Sequence, residues 1–122
     1  MNSTIQKGGM IAAHFFRAHQ DNEMGAVVLA LNALIHGHPR GVYEVAMEYF
    51  WKNDFLKCIA YTKLCLKHAP DWDYGFCAKH NIAVCYEKLG LFKRARLWAK
   101  LASTHYPEFY KNGRSASKAC FD

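Results

Sequence analysis

The chain contains no C-x-x-C pair. Its five cysteines, Cys58, Cys65, Cys77, Cys85 and Cys120, are an odd number, so neither a full disulfide framework nor a zinc ribbon is indicated, and a reducing cytoplasm is the expected setting. Long apolar runs are missing as well. The longest uncharged stretch, 24–39, is shorter than a membrane span and carries Asn32, His36 and His38, while 8–16 is too brief and interrupted for the apolar core of a signal peptide. A soluble chain with no membrane association is expected. No glycine-rich loop that could cradle a phosphate occurs, since Gly8-Gly9 alone is too short a signal. Acidic residues are the minority charge, 10 against 16 Lys and Arg, and the resulting +6 favours acidic surfaces such as nucleic acid, anionic lipid or an acidic protein.

What is abundant is apolar surface. Of the 122 residues 52% are hydrophobic and 21% charged, which places the chain among folded rather than disordered proteins. The length fits one domain, able to hide roughly two-thirds of its unfolded surface without disulfides or metal.

Prolines are few, and their positions are informative. Pro39, Pro70 and Pro107 are 31 and 37 residues apart, and because proline is excluded from helix interiors, such spacing marks the ends of helical units. Between the first two, Val42, Val45, Ala46 and Tyr49 recur at helical spacing, Asn53-Asp54 interrupts, and Phe55, Cys58, Ile59, Thr62, Cys65 and Leu66 resume the stripe. Between the second and third, Phe76, Ile82, Ala83, Tyr86 and Leu89 form one stripe and Phe92, Ala95, Trp98, Ala99 and Ala102 another, with Gly90 available as a left-handed cap between them. Asp54, Asp71 and Asp73 are placed to cap helix N-termini. Sustained strand alternation is absent, and the expected class is all-α.

These residues resemble the tetratricopeptide repeat family, whose unit is a 34-residue antiparallel helix pair. A shift of 37 residues lays Val45 on Ile82, Ala46 on Ala83 and Tyr49 on Tyr86, at the family's leucine, small residue and tyrosine of the first helix. Asn53 and Gly90 fall together in the turn, Phe55 and Phe92 on the aromatic after it, and Cys58 with Ala95 and Cys65 with Ala102 on the two small residues of the second helix. Departures are Val42 and Lys79 at the family's early tryptophan, Thr62 and Ala99 at its second-helix aromatic, and three extra residues around Asp73-Tyr74-Gly75. The resemblance implies antiparallel helix pairs stacked as a short superhelix of about six to seven helices in a single domain. A degenerate pair is expected at 9–39, broken at Gln20-Asp21-Asn22, then repeats at 41–70 and 73–107, and a capping helix at 108–120 that uses Phe109, Tyr110, Ala116 and Ala119.

In this family the first helix of each pair lines a concave groove. The resemblance therefore nominates Tyr43, Met47, Phe50 and Trp51, with Arg40 and Glu44, in one repeat, and His80, Asn81, Val84 and Glu87, with Cys77 and Lys88, in the next. Tyr43, Met47, Phe50 and Trp51 lie on a different face from Val45 and Tyr49, so this helix is apolar nearly all round. Either neighbouring helices cover that second face as core, or it forms an aromatic, Met-containing groove for an amphipathic helix or extended peptide, or for a second copy of the chain. A carboxylate clamp of the kind some family members use is not expected, because only Asn81 and Arg40 could contribute and Glu44 and Glu87 oppose it.

A second reading comes from the basic residues. Lys93, Arg96 and Lys100 share one helix face with Arg94 beside them, and Lys111, Arg114 and Lys118 repeat the spacing, which suits either a solvated outer face or a row of phosphate contacts. The stretch 90–98 is also locally similar to short helical regulators of the PerC type in enteric bacteria. Catalysis has little support: the seven histidines are scattered, His36-Gly37-His38 offers only two metal ligands, and Cys77 with His80 makes a weak nucleophile pair. The expectation is a non-enzymatic adaptor or chaperone without cofactor or metal that binds a protein segment, with a nucleic-acid-associated regulator as the alternative.

Overall fold

Three residues in the left-handed region set where the helices stop. Gly37 (φ 89°), Asn53 (φ 64°) and Gly90 (φ 77°) take a conformation that glycine adopts freely and asparagine tolerates better than most. At each, the same two hydrogen bonds close the helix end: Gly37 and His38 donate to Leu34 and Ala33, Asn53 and Asp54 to Phe50 and Tyr49, and Gly90 and Leu91 to Glu87 and Tyr86, at 2.9–3.0 Å. This is the paired bonding that satisfies the last carbonyls of a helix while reversing the chain. The computed structural model describes residues 23–105, and these three turns with the longer connection 69–74 divide them into α1 (Glu23–Ile35), α2 (Arg40–Trp51), α3 (Phe55–His68), α4 (Gly75–Lys88) and α5 (Phe92–His105).

The described residues are all-α, and no strand occurs among them. Each helix packs chiefly against the one before and the one after, and α1 also touches α3. The helices expected at 9–19 and 108–120, with the break at Gln20-Asp21-Asn22, lie outside the described residues. No described helix is long and apolar enough to cross a membrane.

A shift of 37 residues carries the end of α2 and both ends of α3 onto those of α4 and α5. The buried positions follow the same shift: Val45 and Ile82, Ala46 and Ala83, Tyr49 and Tyr86, Cys58 and Ala95, and Cys65 and Ala102 are all inside. Each fully buried Val or Ile contributes about 1.5–3 kcal/mol relative to an exposed position. The small residues matter because they let the backbones approach. The same register repeats on the polar side, where Lys57 sits 5.1 Å over the Tyr49 ring and Arg94 sits 5.9 Å over the Tyr86 ring.

Capping differs from expectation at one junction. Asp54 caps α3 by accepting from the Lys57 amide at 3.3 Å, but α4 starts at Gly75 with Tyr74 as its cap residue and no side-chain bond, so Asp71 and Asp73 cap nothing. The longer α3–α4 connection is closed instead by backbone bonds from Trp72 to Ala69 and Gly75 to Trp72. Two stripe residues also face outward. Leu89 is 38% and Phe92 58% exposed, one at the end of α4 and the other at the start of α5.

Candidate functional site

The nominated residues separate into three environments. Tyr43 and Asn81 are interior: Asn81 Nδ2 donates to Tyr43 Oη and lies 3.3 Å from Met47 Sδ, which ties α4 to α2. Burial pushes the Tyr43 phenol above its ordinary range, partly offset by the bond from Asn81. Trp72, from the α3–α4 connection, closes edge-on over Tyr43 with ring centroids 5.2 Å apart. Asn81 Oδ1 is buried with no hydrogen-bond partner. These two side chains hold α2 to α4 and offer no surface to a partner.

Met47 and Phe50 are half-buried against the same core, and Phe50 makes edge contacts with both Trp51 and Phe55. Trp51 is different. At 61% exposure it is the most accessible aromatic on this helix, and Leu56, on the other side of the α2–α3 turn in sequence, is exposed as well. The face that sequence treats as one surface is therefore core at its Tyr43 end and open only at Trp51.

His80, Val84 and Glu87 come together in a groove of about 260 Å³ between α4 and α5, opposite Phe92, Arg96 and Ala99. Periodicity places Phe92 and Ala99 in an inner stripe and Arg96 in an outer basic row, so the sequence does not bring these three to the nominated residues. The 37-residue register does. Moved back by one pair, His80, Val84 and Ala95 of the lining become Tyr43, Met47 and Cys58. Tyr43 and Met47 receive Asn81 of α4, and Cys58 meets Cys85 of α4. The groove on the last described pair is thus the counterpart of the seat that α4 fills on the pair before it. Exposure agrees: Ile59 and Thr62 are buried in the filled seat, whereas their counterparts Arg96 and Ala99 are exposed and half-buried. Burial in the groove wall holds the His80 ring below the ordinary histidine range, with Glu87 opposing that shift.

Lys93, Arg96 and Lys100 are exposed along one helix, α5, in different surroundings. Arg94 turns onto Tyr86, Arg96 lines the groove, Lys93 flanks a separate hollow at the α4–α5 turn, and Lys100 is exposed. Lys111, Arg114 and Lys118 lie outside the described residues. Nor do Arg40 and Asn81 stand ready for a carboxylate. Arg40 pairs with Glu44 at 2.9 Å, which raises its pKa, and lies 5.2 Å over the Tyr74 ring, while Asn81 is committed to Tyr43.

Cys58, Cys65 and Cys85 are buried free thiols. Cys85 is pushed up by donating to Cys58 and by burial, and the same hydrogen bond lowers Cys58 against the opposing effect of burial. Cys65 donates to the Pro39 carbonyl at 3.7 Å, and burial raises its pKa to about 12. Such thiols act as small packing residues. Cys77 is disulfide-bonded, which departs from the expectation of a fully reduced chain and removes it as a nucleophile beside His80. In the His36-Gly37-His38 turn, His36 Nδ1 donates to the Asn32 carbonyl at 2.8 Å and caps α1. No group of three or more metal-ligating side chains occurs among the described residues.

No family model matches the chain, and no curated protein or solved structure resembles it significantly.

Proposed function

We propose that the protein is a short tetratricopeptide-like repeat module that binds a helical segment of another protein, as an adaptor or chaperone, and catalyses no reaction. The observation that carries this reading is the open α4–α5 groove, equivalent by the 37-residue register to the seat that α4 occupies on α2 and α3. A surface built to receive a helix within the chain has the shape and apolar lining to receive one from outside. Phe92, Val84 and Ala99 supply the apolar contact, and His80, Glu87 and Arg96 supply a polar rim. Trp51 and Leu56 offer further exposed apolar surface at the other turn.

The test is direct binding of a helix to the full chain. A labelled peptide of the α4 sequence, residues 74–89 with its two cysteines replaced by alanine, is titrated and followed by fluorescence anisotropy. Saturable binding is expected, and Phe92→Ala should weaken it by about 2 kcal/mol while leaving the melting temperature nearly unchanged, because Phe92 is 58% exposed in the free protein. Absence of saturable binding, or equal binding by the variant, would refute the reading.

A further inference from the structure

We propose that the groove takes an acidic amphipathic helix of a partner protein, with its apolar face between α4 and α5 and its carboxylates toward Arg96 and Lys100. This rests on the binding reading above and adds the charge of the ligand. Two comparisons between the filled seat and the open one support it.

The first concerns Arg96. Its counterpart in the filled seat is Ile59, 5% exposed, whereas Arg96 is an exposed guanidinium in a groove lined by apolar Val84, Phe92 and Ala99 together with His80 and Glu87. A helix seated there removes water from that cation. The cost of doing so is offset only if the incoming helix brings an anion with good geometry. Glu87 is the one acid of the lining against Arg96, and Lys100 adds a second cation on the same face of α5.

The second concerns Lys100, whose counterpart is Lys63. Lys63 Nζ reaches across to the next helix and donates to Tyr86 Oη at 2.8 Å. Lys100 has the same place on α5, is exposed, and meets no such acceptor among the described residues. A helix in the open groove would present to Lys100 the residue equivalent to Tyr86. Arg96 lines the groove and Lys100 follows it one turn on along the same face of α5, so the two place positive charge at that end of the groove.

That charge also argues against the other occupants. Residues 107–122 carry Lys111, Arg114 and Lys118 against Glu108 and Asp122, and a second copy of the chain brings +6. An acidic partner helix is favoured over both, and steering by opposite charge would speed its approach.

The test uses the full chain and three versions of the 74–89 peptide, all with alanine for cysteine: one with Tyr at position 86, one with Tyr86→Glu and one with Tyr86→Lys. The glutamate peptide should bind about threefold more tightly than the tyrosine peptide and the lysine peptide more weakly, in keeping with a partly exposed ion pair. In a Lys100→Glu protein the order should invert, and rising salt should erase it. Equal binding of all three peptides would overturn the charge assignment while leaving the groove as a helix site; no binding of any peptide would remove both. Displacement of the glutamate peptide by a peptide of residues 107–122 would give the groove to the chain's own tail. A doubled mass in light scattering that disappears with Phe92→Ala would give it to a second copy. Either result overturns the proposal.

Discussion

At the scale of single residues, the Tyr43–Asn81 pair shows why a nominated binding residue can be structural. Both side chains sit on a helix face that the sequence leaves uncovered, yet Trp72 and α4 close over it. Tyr43→Phe should cost about 1–3 kcal/mol, because the buried Asn81 amide then keeps only the weak Met47 sulfur as partner. Adding Asn81→Leu in the Tyr43→Phe background should recover part of that loss, since an unmet polar group leaves with its partner. Urea unfolding of the two single variants and the double variant measures both effects. His80 gives a pH dependence. Its folded pKa lies below that of the unfolded chain, so the unfolded chain takes up the proton first as pH falls through about 6.5. Its contribution to stability is therefore complete above that value and lost below it. Urea midpoints at pH 7.5 and 5.5 should differ less in His80→Gln than in the unaltered protein; an equal or larger difference would contradict the assignment.

At the scale of helices and turns, the three left-handed turns dictate the architecture. Nothing lies within 4 Å of a Cβ built on Gly90, so Gly90→Ala meets no clash and pays only the conformational penalty, about 1–2 kcal/mol. Gly90→Asn should cost less, because the equivalent turn already uses Asn53 at φ 64°. Urea denaturation should rank the chains as unaltered, asparagine, then alanine. Much of this level was legible in sequence. Asn53 and Gly90 carry the turn chemistry locally, and the stripes of Val45 with Tyr49 and of Ile82 with Tyr86 report their buried faces through period alone. What local pattern cannot report is which neighbour covers a face. Tyr43 is therefore open to two readings, Leu89 and Phe92 read as buried, and Arg96, on an exposed basic face, also lines a groove. Asp71 and Asp73 failed as caps for a related reason: several candidate starts were compatible with the composition, and backbone turns at Trp72 and Gly75 decided among them.

At the scale of the whole molecule, the account depends on translation by one helix pair. α4 is held on α2 and α3 by Asn81, Cys85 and Tyr86, and the residues that receive them, Tyr43, Met47, Cys58 and Lys63, advance by 37 residues onto His80, Val84 and Ala95 of the open groove and onto Lys100. Among the described residues the seat on the last helix pair is unfilled, and it leaves apolar surface that another element can cover. The measurement that tests this most directly is amide chemical-shift mapping on the full chain as the 74–89 peptide carrying Tyr86→Glu is added. The largest shifts are predicted at Val84, Phe92, Ala95, Arg96 and Ala99, on the two walls of the α4–α5 groove. Shifts centred instead on Trp51 and Leu56, with the α4–α5 residues unmoved, would contradict the account.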